Sequence, residues 1–158
     1  MVISAFPACG KSYFYSIYKD TLDSDSSLFS WIKDNDTGTR MRNPDFPNNY
    51  IEHIKDNYKN QDIDYIFVSS HAEVRQLMKD NNIPYILVYP NKNLKAEWIG
   101  RCYLRGSTLE FIENLSKHWD RWVEECMYDD GAVFKIELKS GEYLSDYLNK
   151  GLIKRGVL

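Results

Sequence analysis

Residues 5 to 12 read Ala-Phe-Pro-Ala-Cys-Gly-Lys-Ser, the pattern G-x-x-x-x-G-K-[ST] with alanine at the first glycine position. Each residue type answers a demand of polyphosphate chemistry. Small residues let backbone N–H groups turn toward phosphate oxygens, and a helix opening at Lys11 adds the positive end of its dipole. The Lys11 ammonium can reach the β- and γ-phosphates, and the Ser12 hydroxyl can ligate Mg²⁺. Pro7, Ala8, Cys9, Gly10, Lys11, Ser12 and Tyr13 are therefore the expected nucleotide-binding residues. Ala5 and Ala8 stand where such loops often have glycine. Alanine costs little at negative φ and is strained at positive φ, while Pro7 fixes one φ. Cys9 has no nearby histidine in sequence and is expected to fill the loop rather than react. The alternative is a plain strand–turn–helix with a chance Gly-Lys-Ser.

A second group of chemical residues follows about a dozen positions later. Asp23-Ser24-Asp25 is expected just after a very short second strand ending near Leu22. Ligands of open parallel sheets collect at the carboxyl ends of the strands. There one carboxylate can orient an acceptor hydroxyl and take its proton, and another can hold Mg²⁺ directly or through water. A solvated turn would also be built from Asp and Ser.

The elements that must position these groups alternate between strand and helix. Strands are expected at Val2–Phe6, near Leu22, and at Asp64–Val68, Ile83–Val88 and Val133–Leu138. Their continuous apolar runs suit buried parallel strands. Helices are expected at Lys11–Lys19, Ser26–Lys33, Tyr50–Tyr58 (Ile51, Ile54 and Tyr58 on one side), His71–Lys79, Asn93–Arg105 (exposed and charged) and Leu144–Leu148. Ser107 with Glu110 reads as the capping box of a long helix whose core face is Phe111, Leu115, Trp119 and Trp122. Asn35–Asn49 reads as a loop. The expected fold is α/β with a five-stranded parallel sheet in a three-layer α/β/α arrangement, as one domain over residues 1–158.

Composition narrows the function classes. The chain has 158 residues, 43% of them hydrophobic, enough for one packed core. Its 20 basic and 23 acidic residues give a net charge of −3, so a chain-wide nucleic-acid footprint is not expected, although a local basic patch is allowed. The three cysteines show no Cys-x-x-Cys, and the three histidines show no metal-ligand spacing. No apolar run approaches the roughly 20 residues of a membrane span, and the N-terminus lacks the basic and apolar regions of a signal peptide. A reducing cytoplasm is the expected setting.

The combination FPACGKS followed by LDSDSS resembles the small P-loop kinases: shikimate kinase, gluconate kinase and the nucleoside monophosphate kinases. The segments AFPACGKSYF and DSDSSLFSW are also similar to P-loop kinase-like proteins of bacteriophages. The resemblance implies a P-loop NTPase fold, ATP and Mg²⁺ as cofactors, Asp23 as the magnesium-side acid and Asp25 as the acceptor-side acid. It implies a helical lid at about residues 91–106, on which Arg101 and Arg105 would clamp the transferring phosphoryl group. Arg101 could equally pair with Glu97 on a solvated helix. Arg40 and Arg42 fall where such kinases build the acceptor site and could hold a phosphate or carboxylate, or simply decorate a polar loop. Phe29, Trp31 and Phe46 could stack a base or fill the core. Ser69, Ser70 and His71 follow the third strand, so the acid usual in that place is absent, and His71 could cap the next helix or act in catalysis. His53 and His118 are expected to be structural or solvated. The implied activity is ATP- and Mg²⁺-dependent phosphoryl transfer to a nucleoside, nucleotide or small hydroxyl metabolite, by a monomer or homodimer. The alternatives are a kinase of a polynucleotide or modified base, and a nucleotide-binding ATPase or regulator without an acceptor.

Overall fold

A computed structural model of the chain describes residues 1–148; the basic tail GLIKRGVL lies outside the described residues. Five strands, β1 (Val2–Ala5), β2 (Thr21–Asp23), β5 (Tyr65–Ser69), β6 (Tyr85–Pro90) and β7 (Phe134–Leu138), form one all-parallel sheet in the order β2-β5-β1-β6-β7. Every residue of β1 and β6 is buried. Parallel strands closed on both sides need helices on both faces, which is compatible with the three-layer α/β/α arrangement. The described residues contain seven α-helices: α1 (Lys11–Ile17), α2 (Ser27–Ser30), α3 (Asn48–Tyr58), α4 (Ala72–Asp80), α5 (Lys95–Leu104), α6 (Leu109–Met127) and α7 (Leu144–Leu148). Among the described residues no helix is long and apolar enough to cross a membrane.

The topology decides where a ligand can sit. β1 lies in the middle of the sheet, the chain next visits the far edge at β2, and it returns through β5 on one side of β1 before crossing to β6 on the other. Crossovers that leave a strand in opposite directions open a crevice at its carboxyl end. That end of β1 runs into residues 6–10.

Several local expectations are corrected. The helix expected over Ser26–Lys33 stops at Ser30, and Trp31–Lys33 forms a strand, β3. It pairs antiparallel with β4 (Arg40–Arg42), inside the segment expected to be loop. The two form a local hairpin closed by the polar turn 34–39, and neither strand carries a long apolar run. Tyr58 is not on the core side of α3; Tyr50 joins Ile51 and Ile54 there instead. Thr108, not Ser107, caps α6, its side chain accepting from Phe111 N–H, so Glu110 is not in the capping-box position. The buried stripe of α6 is Ile112, Leu115, Trp119, Val123 and Cys126.

The expected lid is part of the body. Trp98 and Cys102 on α5 are fully buried, and Trp98 meets Trp119 of α6 at 6.4 Å between ring centroids. Trp98 Nε1 also donates to Pro7 O at 2.8 Å. Swinging α5 away would expose an entire tryptophan, roughly 2–3 kcal/mol of apolar burial for that residue alone.

Candidate functional site

β1 delivers a loop that is held from behind. Phe6 N–H donates to Val88 O at 2.9 Å, and the buried Phe6 ring meets Trp119 edge-on at 5.7 Å. Leu144 N–H donates to Cys9 O at 2.9 Å. Cys9 is fully buried with Sγ 3.9 Å from Val88 O, and burial pushes its thiol up to about 12, so it is no nucleophile at neutral pH.

The front of the loop is open. Ala8 has φ 63° and Gly10 has φ 99°. Left-handed residues alternating with ordinary ones turn successive N–H groups toward one side, the concavity that binds anions. The backbone N–H groups of Ala8, Gly10, Lys11, Ser12 and Tyr13 have no hydrogen-bond partner among the described residues. Lys11 Nζ donates to Ala5 O at 2.7 Å and so lies across the loop it would serve. Burial lowers the Lys11 pKa, opposed by Cys9, Asp23 and Asp25.

In front of the loop lies a cavity of about 560 Å³, within the size range of ligand pockets. Pro7, Lys11, Ser12, Asp23, Asp25, Arg42 and Arg105 line it, so most of the expected site residues are brought together. Ser12 Oγ donates to Asp23 Oδ2 at 3.1 Å. Asp25 is exposed and oriented by Ser27, whose N–H and hydroxyl donate to its two oxygens at 2.8 Å each. Arg105 Nε donates to Ser107 Oγ at 2.7 Å, with its guanidinium 5.5 Å from the Phe111 ring. Arg42 also lines the cavity, stacked 4.7 Å over Phe46 and paired with Glu73 at 3.0 Å. Both members of that pair are about half exposed, so a stronger anion can displace the glutamate.

Ala8, Cys9, Gly10, Tyr13, Arg40 and Arg101 do not line the cavity. Tyr13 turns its ring to solvent at 63% exposure, while the backbone N–H groups of Ala8, Gly10 and Tyr13 are unpartnered, as above. Arg40 sits on the exposed ribbon of β3 and β4. Arg101 is corrected from phosphate clamp to structural tie. It is 8% exposed, sandwiched between Trp98 and Tyr143 at 4.0 Å from each ring, and donates to Glu97 and to Glu142 O at 2.9 Å. Its partners arrive from beyond β7, which the i, i+4 pairing with Glu97 does not reveal.

Other residues enter the site unannounced. Tyr50, wholly buried on α3, donates its hydroxyl to Ser24 O at 2.6 Å and accepts from Ser69 N–H at 3.3 Å. It clamps the exits of β2 and β5 together, and burial pushes its pKa up to about 12, keeping the proton it donates. Ser24 Oγ and Ser69 Oγ, both in residues that line the cavity, are buried hydroxyls without hydrogen-bond partners among the described residues. Phe111 and Trp122 pack partly buried against the core and also line the cavity; each lies one position before a buried residue of α6. His71 also lines it, stands at the N-cap of α4 without a side-chain capping bond, and has its pKa lowered by desolvation, with Arg42, Arg75 and Lys11 acting in the same direction and Glu73 against them.

No group of three or more His, Cys, Asp or Glu side chains able to hold a metal occurs among the described residues. The Ser12 hydroxyl beside the Asp23 carboxylate nevertheless suits Mg²⁺, which typically takes one or two protein oxygens and completes its shell with water and substrate phosphates. In comparisons with known proteins, no family model, no curated protein and no solved structure matches this chain.

Proposed function

We propose that the chain is a P-loop phosphotransferase that moves the γ-phosphoryl group of ATP to an acceptor in the cavity, in the class of nucleosides, nucleotides and small hydroxyl metabolites. The observation that carries this reading is the set of five N–H groups, of Ala8 and of residues 10–13, without partners among the described residues on a turn with left-handed Ala8 and Gly10, beside the Lys11 and Ser12 side chains and Asp23. Polar groups left without partners at a concave surface favour an anionic ligand.

The residues divide the work. The loop amides and Lys11, once released from Ala5 O, hold the β- and γ-phosphates. Ser12 and Asp23 would hold Mg²⁺, which when bound spreads the charge on the phosphate oxygens. Asp25, oriented by Ser27, accepts the proton of the acceptor hydroxyl as its oxygen bonds to the γ-phosphorus; the bond from that phosphorus to the β,γ-bridging oxygen breaks and ADP leaves. Arg105 and Arg42, which both line the cavity, are the candidates to neutralise phosphoryl and acceptor charge.

Purified protein with γ-labelled ATP and Mg²⁺, offered pools of nucleosides, nucleotides and polyhydroxy metabolites, should label one pool. Lys11→Ala should abolish transfer, and Asp25→Asn should slow it about 10²-fold or more with ATP affinity nearly unchanged. The Ser69-Ser70 exit of β5, where an acid is usual, favours a second reading, an ATPase without acceptor. Label released only as inorganic phosphate from every pool would select it and sink the transferase.

A further inference from the structure

The two-stranded ribbon of β3 and β4 has a face whose chemistry the cavity does not explain. The register pairs Trp31 with Arg42 and Lys33 with Arg40. Directly opposed residues, and residues two apart on one strand, share a face. Trp31, Lys33, Arg40 and Arg42 therefore lie together, and Trp31 and Arg42 at one end of that face line the cavity. Ile32 and Met41 occupy the other face.

All six ribbon residues are exposed. Lys33 and Arg40 make no ion pair among the described residues, and Arg42 has only the half-exposed Glu73. Besides Glu73, Asp34 adjoins Lys33 in sequence; its Oδ1 accepts from Asp36 N–H at 2.9 Å and Thr37 N–H at 3.3 Å in the turn. Asp36 in the turn is the remaining acid close by. The ribbon thus presents a cation at the cavity mouth and two more a strand step of about 6.6 Å farther out, with a tryptophan at the inner end.

We propose that this face is the seat of a single-stranded polynucleotide, which threads its phosphodiesters along Arg42, Arg40 and Lys33, rests a base on Trp31, and presents a hydroxyl to the cavity. The inference rests on the phosphotransferase reading and narrows its acceptor to a hydroxyl carried on a nucleic-acid strand. A mononucleotide has one phosphate group to offer and Arg42 alone can meet it, leaving Lys33 and Arg40 unused. A phosphodiester chain leaving the cavity meets all three cations in turn. A duplex keeps its bases stacked and cannot lay one on Trp31, whereas cations beside an aromatic platform are the usual means of holding a single strand. The net charge of −3 does not oppose this, because short-range attraction follows the local patch within a Debye length of about 10 Å.

The test is fluorescence anisotropy of a labelled oligothymidylate of about ten nucleotides with the full chain, from about 50 to 200 mM salt, alongside titration of a fluorescent ATP analogue. Wild type should bind the strand with affinity falling steeply as salt rises. The K33Q/R40Q double variant should lose about 1.4 from the log–log salt slope, two contacts at about 0.7 each, while binding the ATP analogue as wild type does. Trp31→Ala should weaken the strand about tenfold or more with little change of slope. Circular dichroism melting checks that the variants stay folded. Absence of strand binding by wild type, wild-type affinity and slope in K33Q/R40Q, or equal competition by thymidine monophosphate would overturn the inference. Strand binding without binding of the ATP analogue would instead keep the polynucleotide seat and remove the phosphotransferase reading.

Discussion

Gly10→Ala and Ala8→Gly should move stability in different directions, and the pair tests the loop geometry on which the proposed phosphate binding depends. At Gly10, φ is 99°, where a non-glycine residue costs on the order of 1–3 kcal/mol. An added Cβ would also lie 3.3 Å from Tyr143 Cδ1, a contact that needs the ring to shift. Against this, alanine regains about 0.5–1 kcal/mol through the lower entropy of its unfolded chain. The net expectation is a loss of about 1–2 kcal/mol. At Ala8, φ is 63°, and leaving left-handed space relieves about 1–2 kcal/mol. Glycine's entropy takes back about 0.5–1 kcal/mol, and the half-buried methyl about 0.4 kcal/mol, half of a fully buried CH₂. Ala8→Gly should therefore be neutral or stabilise by up to about 1 kcal/mol. Urea unfolding followed by circular dichroism measures both, and unchanged m-values confirm that the midpoints report stability. If Ala8→Gly instead loses about 1 kcal/mol or more, as glycine does at negative φ, residue 8 is not left-handed and the amide concavity is not there.

Arg75→Met should lose about 3 kcal/mol in the same assay, because Arg75 is 3% exposed and its removal takes the guanidinium, 2.7 Å away, from the largely buried Asp129 carboxylate and the donor from Glu125 O; adding Asp129→Leu should recover part of the loss. Asp129 also shapes the acid limb of stability. Burial raises its pKa, but hydrogen bonds from Arg75, the Ala132 N–H and Tyr85 outweigh that, leaving it below its ordinary 3.8. The native state then binds fewer protons than the unfolded chain, so the stabilisation is complete above about pH 4 and is lost as pH falls through the lowered value; Asp129→Asn should flatten that decline in urea titrations between pH 5 and 2. Arg101→Gln and Arg105→Gln should separate structure from chemistry. The first should lower the urea midpoint because it leaves Glu97 and two aromatic faces uncovered, and the second should leave the midpoint alone and cut phosphoryl transfer about 10²-fold.

The sheet was legible because β1, β5 and β6 carry apolar runs that are largely buried, whereas β7 turns only Ile136 and Leu138 to the core, and the turn at residues 6–10 because its pattern is local. What escaped depends on contact partners. β3 and β4 are three residues each and gain their identity only from each other. Tyr50 reads as an ordinary helical tyrosine, and its clamp exists only once β2 and β5 end side by side. Arg101 and Arg105 share spacing and composition, yet Tyr143 covers one and leaves the other in the cavity. The α6 stripe was read one residue out of phase at Phe111 and Trp122, because aromatics on both sides of its edge blur where the apolar arc begins.

The backing of the loop by Trp98 and Leu144 sets an order of assembly during synthesis. Residues 6–10 are translated before either of these supports. A nascent chain halted between β6 and α5 carries residues 5–12 without the anchors of Pro7 and Cys9, and the proposed nucleotide cradle is fully backed only once α7 has been made.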